Sequence, residues 1–202
     1  AMIERAANVG GAGINGTVPS KILREAALYF SGLRQRGLFG IDYARKENLS
    51  VKDFMQRQHF AVDNEQKIVE GNLQQPNITL IHGEAAFKDA HTVQVTSPDG
   101  ETQISGDIIL IATGSSPYNP PEMPVDGKLV YDSDSILQMT HIPKTMAIVG
   151  AGVIGTEYAS LFTALGVQVM LIEPRERVLP FVDTEMIHRL RDQLALMGVK
   201  FA

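Results

Sequence analysis

Three glycines spaced as Gly150-x-Gly152-x-x-Gly155 carry the clearest chemical message in this sequence. The first glycine of such a set allows a tight strand-to-helix turn, the second lets a pyrophosphate approach the backbone, and the third lets helix and strand pack closely. The phosphate then rests on the positive end of the helix. The motif follows a short buried-strand pattern at 145–149 and precedes helical spacing over 156–165, which Gly166 ends. A second apolar run at 167–172 closes with Glu173, 18 residues past Gly155 and 23 past Gly150, completing a βαβ pattern. A carboxylate there accepts hydrogen bonds from adenosine ribose hydroxyls and favours NAD, since a 2′-phosphate would meet like charge. Arg175 and Arg177 lie just beyond it and offer such a phosphate a partner, so NADP stays open beside NAD; two solvated loop arginines are the plainer alternative.

A second glycine-rich stretch runs from Val9 to Lys21, with Gly10, Gly11, Gly13 and Gly16 leading into a helix whose first turn holds Lys21. So many glycines directly after the acidic strand end at Glu4 point to close approach of backbone to a ligand. The chain has no cysteine, which excludes disulfides, thiolate zinc, iron–sulfur clusters and a cysteine nucleophile. Histidines at 59, 82, 91, 141 and 188 show no ligand spacing, and the eight methionines form no stripe, so no metal site is expected.

The elements that must position these residues follow from pattern. Residues 106–114 read as a buried strand ending in a glycine turn at Thr113-Gly114, and 19–30 and 51–72 as helices, the latter with Phe54, Ala61, Ile68 and Val69 on one side. Alternation over 78–104, interrupted by Ser97-Pro98-Asp99-Gly100, predicts a hairpin. Residues 183–197 form a helix that leads into a new strand. Four of the ten prolines fall in 117–124, a linker signature. The expected division is 1–118, 119–143 as linker and crossover, and 144–202. The opening Ala1-Met2-Ile3-Glu4-Arg5 parallels Val169–Arg175, so the chain is expected to begin at the second strand of a βαβ unit and to stop at a fresh strand. A terminal strand with Glu4 as an ordinary surface carboxylate is the alternative.

Length and composition agree with one or two globular domains: 202 residues, 44% hydrophobic, 20% charged. A net charge of −5 gives no general field for nucleic acid, and no apolar stretch approaches the ~20 residues of a membrane span. Without a secretory pattern at the start, the expected location is the cytoplasm.

Taken together, Gly10-Gly11 through Pro19-Ser20-Lys21, Ala112-Thr113-Gly114-Ser115-x-Pro117, Asp132-Ser133-Asp134 and Gly150 through Glu157 resemble the FAD-dependent pyridine nucleotide–disulfide oxidoreductases over essentially the whole chain. The implied fold is α/β with two Rossmann-like dinucleotide-binding domains, both incomplete here. Members with disulfide chemistry carry a cysteine pair whose positions fall on Gly13 and Thr17, with one residue fewer between them. The branch most similar is the soluble pyridine nucleotide transhydrogenases, which share Gly-Thr-x-Pro-Ser-Lys and a run like Tyr131–Leu137. The resemblance implies that Glu4 binds the FAD ribose, that Gly10, Gly11 and Thr17 line its phosphates and ribityl chain, and that Thr113 and Gly114 close over the pyrophosphate. By the same resemblance Gly83 and Ala85 meet the adenine, Lys21 lies beside the flavin, and Glu157 positions the nicotinamide. Lys21 and Glu157 are thus the expected catalytic pair, with Gly150, Gly152, Gly155, Glu173, Arg175 and Arg177 at the NAD or NADP site. The implied activity is hydride transfer between NADH and NADP+ through FAD, by a homodimer or higher homo-oligomer when full length. A chain lacking the first glycine loop would bind FAD weakly and be inactive alone. A cysteine-free relative of the disulfide reductases and a non-enzymatic nucleotide-binding fragment are the alternatives.

Overall fold

The computed structural model describes residues 1–35 and 51–202. Strand β1 (Met2–Glu4) is followed by a helical run that begins in the glycine-rich stretch, passes through a π-turn at Gly13–Thr17 and becomes α1 (Val18–Gln35). The widening falls just before Pro19, whose ring nitrogen has no hydrogen to give to an α-helical bond. Instead Val18 N–H donates to Gly13 O. What the sequence presents as a glycine loop is therefore mostly helix.

After α2 (Val51–Leu73) come β2 (Leu80–His82), parallel to β1, and an antiparallel meander of β3 (Glu84–Asp89), β4 (Thr92–Ser97) and β5 (Gly100–Ser105). The predicted hairpin is thus β4–β5, with Ser97 paired to Gly100 and φ +125° at Gly100 closing the turn. A third sheet holds β6 (Thr145–Val149), β7 (Gln168–Ile172) and β8 (Lys200–Phe201), all parallel in that order. Helix α3 (Val153–Ala164) joins β6 to β7, and α4 (Thr184–Met197) joins β7 to β8. Asp183 caps α4 by accepting from Glu185 N (2.9 Å), and Gly198 ends it at φ +106°.

The main core lies where α1 meets α3 and α3 meets the third sheet. Leu23, Ala26 and Ala27 line one stripe of α1 at the i, i+3, i+4 spacing. Opposite them Tyr158 and Phe162 stack, 6.1 Å between ring centres, over Val169 and Leu171 of β7.

Three expectations need correction. Residues 106–114 form no strand, and Ile108 and Leu110 are 91% and 87% exposed. A strand exists only by pairing, and none of the three sheets includes this segment. The strands at 145–149 and 167–172 are present but covered on one face only: Met146, Ile148, Val169 and Leu171 point to the core while Val149 and Met170 face outward. Among the described side chains of α2, Met55 and Gln58 are buried, whereas Ile68 is exposed and Ala61 and Val69 are half-buried; the side chain of Phe54 lies outside the described residues.

Candidate dinucleotide site

The turn after β6 uses its glycines in three physically different ways. Gly150 sits at φ +99°, in the left-handed region that L side chains rarely occupy, and donates to Ile172 O (2.8 Å) across the sheet edge. Gly155 faces the Gly150 carbonyl so closely that a Cβ would run into its oxygen and come within 3.1 Å of its carbon. Gly152, the N-cap of α3, has ordinary extended backbone, and among the described residues no atom beyond its chain neighbours lies within 4 Å of where its Cβ would be. No side chain caps the first turn of α3 and no acidic residue lies in it. The predicted pyrophosphate position is thus open space beside uncapped amides, and the site fits such a group.

Ala151 is held from both directions. Its N–H donates to Glu173 Oε2 (2.8 Å), and its carbonyl accepts from Leu179 N (3.1 Å), so the loop after β7 grips the glycine turn. Leu179 adopts φ +46°, the non-glycine positive φ of the described residues. Glu173 also takes the guanidinium of Arg175 in a fork, Nε to Oε1 at 2.7 Å and Nη2 to Oε2 at 2.8 Å, plus the Arg175 backbone N–H at 3.1 Å. These bonds, the Arg175 side chain first and the Ala151 amide next, hold the Glu173 carboxyl down at about 2. Arg177 is directed elsewhere: its Nη2 donates to Val182 O at 3.1 Å. Each of the two arginines offered as a partner for a 2′-phosphate thus holds a protein acceptor in this structure.

Near the other glycine-rich stretch, Gly10 and Gly11 have φ of +104° and +49°. The segment holding Thr113 and Gly114 passes over it: a Cβ on Gly114 would lie 3.9 Å from Ala12 N. Gly11, Thr17, Thr113 and Gly114 are all exposed, an open surface of backbone and hydroxyl groups. Lys21 extends from α1 to α3 and donates to both oxygens of Glu157, at 2.7 and 3.0 Å. The two residues expected to serve catalysis, 136 positions apart, are therefore in direct contact. Glu157 is mostly covered and Lys21 is 56% exposed.

Behind this pair lies a group that sequence reasoning used only as a landmark. Asp132 accepts from the Ser135 hydroxyl (2.6 Å), the Ser135 amide (2.7 Å) and Asn119 Nδ2 (2.9 Å). Partial burial pushes its carboxyl up, but these bonds outweigh it and hold the group at about 2. Asp134 is displaced upward by burial and by the charge of Asp132, and its Oδ1 lies 3.9 Å from where a Gly16 Cβ would be. Tyr158 O–H donates to Ser133 O at 3.3 Å, and burial, then the charges of Glu157 and Asp134, raise its phenol. An Asp-x-x-Ser run is the local signal for such a turn, in which the Asp132 carboxylate accepts from the Asp134 and Ser135 amides.

The remaining expected residues cluster at the end of β1. Glu4 accepts from Ala6 N–H (2.8 Å), and its carbonyl accepts from Gly83 N–H (3.0 Å). Gly83 has a structural reason of its own, since a Cβ would come within 2.6 Å of Val95 Cγ1 and 2.8 Å of Thr96 O. Ala85 pairs with Val95 in the meander, and its side chain is exposed. His82 Nδ1 lies 3.1 Å from Ala6 O, and His91 Nδ1 lies 3.2 Å from Gly106 O. Among the described residues no three of His, Asp or Glu gather as a metal site, and no helix is long and apolar enough to cross a membrane.

Known proteins share the sequence pattern and the fold. A family model described as pyridine nucleotide-disulphide oxidoreductase matches residues 2–202. A soluble pyridine nucleotide transhydrogenase of Mycobacterium bovis is 40% identical over the full chain, and that of Colwellia psychrerythraea is 42% identical over 98% of it. The chain spans 44% and 43% of these relatives' lengths. Among solved structures, LpdA from Mycobacterium tuberculosis shares the fold at a TM-score of 0.87 and 24% identity, covering 99% of this chain and 44% of that one. The HOCl-induced flavoprotein disulfide reductase RclA from Escherichia coli matches at 0.79 and 29% identity, covering 99% and 42%. The α/β fold with Rossmann-like units is thereby common to all of them.

Proposed function

The chain belongs to the pyridine nucleotide-disulphide oxidoreductase family, and on that premise we propose that it forms part of a flavoprotein moving hydride between NADH and NADP+, or NADPH and NAD+. The observation that carries this reading is the Lys21–Glu157 ion pair in a chain with no thiol. It ties the glycine-rich helix expected beside a flavin to the helix that opens the second glycine motif. FAD, when bound, supplies two-electron hydride acceptance and donation. Gly10, Gly11, Thr17, Thr113 and Gly114 would hold its phosphates and ribityl chain, with Glu4 at its ribose and Gly83 and Ala85 at its adenine. Lys21 places a positive charge where electron density accumulates, and Glu157 fixes that ammonium and orients the nicotinamide. Gly150, Gly152 and Gly155 receive the nucleotide pyrophosphate, and Glu173 with Arg175 meets its adenosine ribose.

In this reading residues 1–118 serve the flavin, 144–202 the nicotinamide nucleotide, and 119–143 connect them. The whole protein acts as a cytoplasmic homodimer or higher homo-oligomer. Disulfide reduction is the rival, but the thiol positions are Gly13 and Thr17, neither of which carries sulfur. The test is turnover by the complete flavoprotein. Reduction of thio-NAD+ by NADPH is expected, with no NADPH-dependent reduction of lipoamide or glutathione disulfide. Disulfide turnover without transhydrogenation would overturn the proposal.

A further inference from the structure

The glycine turn after β6 is tied down at three points, and one tie comes from the loop beyond the βαβ unit. Gly150 N–H donates to Ile172 O (2.8 Å) and Ala151 N–H to Glu173 Oε2 (2.8 Å), both at the end of β7. The third tie runs from Leu179 N–H to the Ala151 carbonyl (3.1 Å). Leu179 makes it from left-handed backbone, φ +46°, which a leucine enters only against a steric penalty. Such a conformation persists where its surroundings over-determine it. Val178 and Leu179 are buried in the same core as Ala151, the Leu179 carbonyl accepts from Val182 N–H (3.0 Å), and Arg177 Nη2 closes the loop on Val182 O (3.1 Å). No side chain of this loop comes within 4 Å of the position a Gly152 Cβ would take. The loop thus grips the turn without filling the space beside it.

We propose that Leu179 is a positioning residue for the nucleotide pyrophosphate: its strained backbone, held in place by its buried side chain, fixes the Ala151–Gly152 peptide so that the Gly152 amide is aimed before the ligand arrives. The carbonyl of Ala151 and the N–H of Gly152 belong to one planar, trans peptide and point in opposite directions. Holding the carbonyl on Leu179 therefore turns the Gly152 N–H away from the loop, at the uncapped start of α3. Without that tie the peptide is free to rotate, since it lies between Gly150, already in the left-handed region, and Gly152, which has no side chain to restrain it. A ligand binds only the fraction of turns that are correctly aimed, and its apparent affinity falls by that fraction. This rests on the nucleotide reading of the glycine motif above, and Leu179 acts through Ala151 without touching the ligand.

Substitutions at 179 separate backbone from packing. Valine keeps most of the apolar contact, but its β-branch resists positive φ; asparagine gives up the contact yet tolerates that backbone; alanine offers neither. The experiment is calorimetric titration of NAD+, 5′-ADP and adenosine into the oxidised, complete flavoprotein, with thermal melts and flavin absorbance per chain recorded for each variant. Leu179→Asn is expected to bind NAD+ and 5′-ADP within about 2-fold of the parent, and Leu179→Val and Leu179→Ala about 5- to 30-fold more weakly, the weight of one strained conformation. Adenosine, which has no phosphate, should bind all of them alike, and flavin content should not change. A role in packing alone reverses the order and leaves Leu179→Val nearest to the parent. That result overturns the proposal, as does an affinity in Leu179→Asn no better than in Leu179→Ala, the comparison that stands if Leu179→Val does not fold. Gly152→Val separates the two levels. If it binds NAD+ as the parent does, the nucleotide reading fails; if it loses NAD+ while Leu179→Ala does not, only the role of Leu179 fails.

Discussion

One methyl group, added at Gly155 or at Gly152, should have opposite signatures although both glycines belong to one motif. At Gly155 the new Cβ meets the Gly150 carbonyl and lies 3.4 Å from Ile148 Cγ2. The obstacle is backbone, which cannot swing aside as a side chain does, so the upper part of the overpacking range applies, about 2–3 kcal/mol. For a domain of this size that corresponds to a fall in melting temperature of roughly 4–12 °C. At Gly152, φ of −77° and ψ of −171° suit any residue and the surrounding space is empty. Gly152→Ala should therefore leave stability unchanged or raise it by up to about 1 kcal/mol through the unfolded chain. Its cost appears in binding, where the methyl occupies the pyrophosphate position and NADH affinity falls about 10-fold or more. Thermal unfolding by circular dichroism, paired with calorimetric titration of NADH, reads both quantities. A Gly155→Ala variant that melts with its parent, or a Gly152→Ala variant as unstable as Gly155→Ala, would refute this division of labour.

In the complete flavoprotein, Gly152→Val should weaken nicotinamide nucleotide binding while flavin absorbance per chain stays unchanged; loss of flavin would place the loop at the wrong cofactor. Lys21→Met should slow hydride transfer about 10- to 100-fold, yet move the melting temperature by no more than a few degrees, because an ion pair this exposed contributes at most about 1 kcal/mol. Asp132 lies below its ordinary 3.8, at about 2, in the folded chain. A depressed carboxylate stabilises the fold fully above the unfolded value and loses that contribution as pH falls through the folded one. Asp132→Asn should therefore cost about 2 kcal/mol at neutral pH and flatten the acid-induced loss of stability between about pH 4 and 2, as urea melts at stepped pH would report. For Glu173, held at about 2 against an ordinary 4.5, the sign is the same: Glu173→Gln should weaken the acid dependence from about pH 4.5 down to 2.

What sequence determined by itself was mostly local. The βαβ unit at 145–172 was legible because strand period, glycine spacing and helix period lie next to one another, and each reflects contacts within a few residues. The turn at Ser97–Gly100 and the helix over 183–197 were readable for the same reason. The placement of Glu173 followed from its distance to Gly155, since strand and helix rises set how far the chain travels before it returns to the glycine turn.

Tertiary structure decided whatever depended on a partner remote in the chain or on competition for one group. Residues 106–114 have the apolar run of a strand, yet pairing and burial require an adjacent edge, which no composition encodes. The outward Val149 and Met170 show the same limit, because periodicity marks an apolar side chain without saying what covers it. Lys21 and Glu157 could be nominated separately by family resemblance, but their 2.7 Å contact exists only because α1 packs on α3. Arg175 is the sharpest case. Its position two residues after Glu173 permitted either a phosphate ligand or a solvated loop side chain, and only three-dimensional geometry shows the guanidinium forked onto Glu173. The carboxylate's acceptor capacity is finite, and the nearest donors filled it.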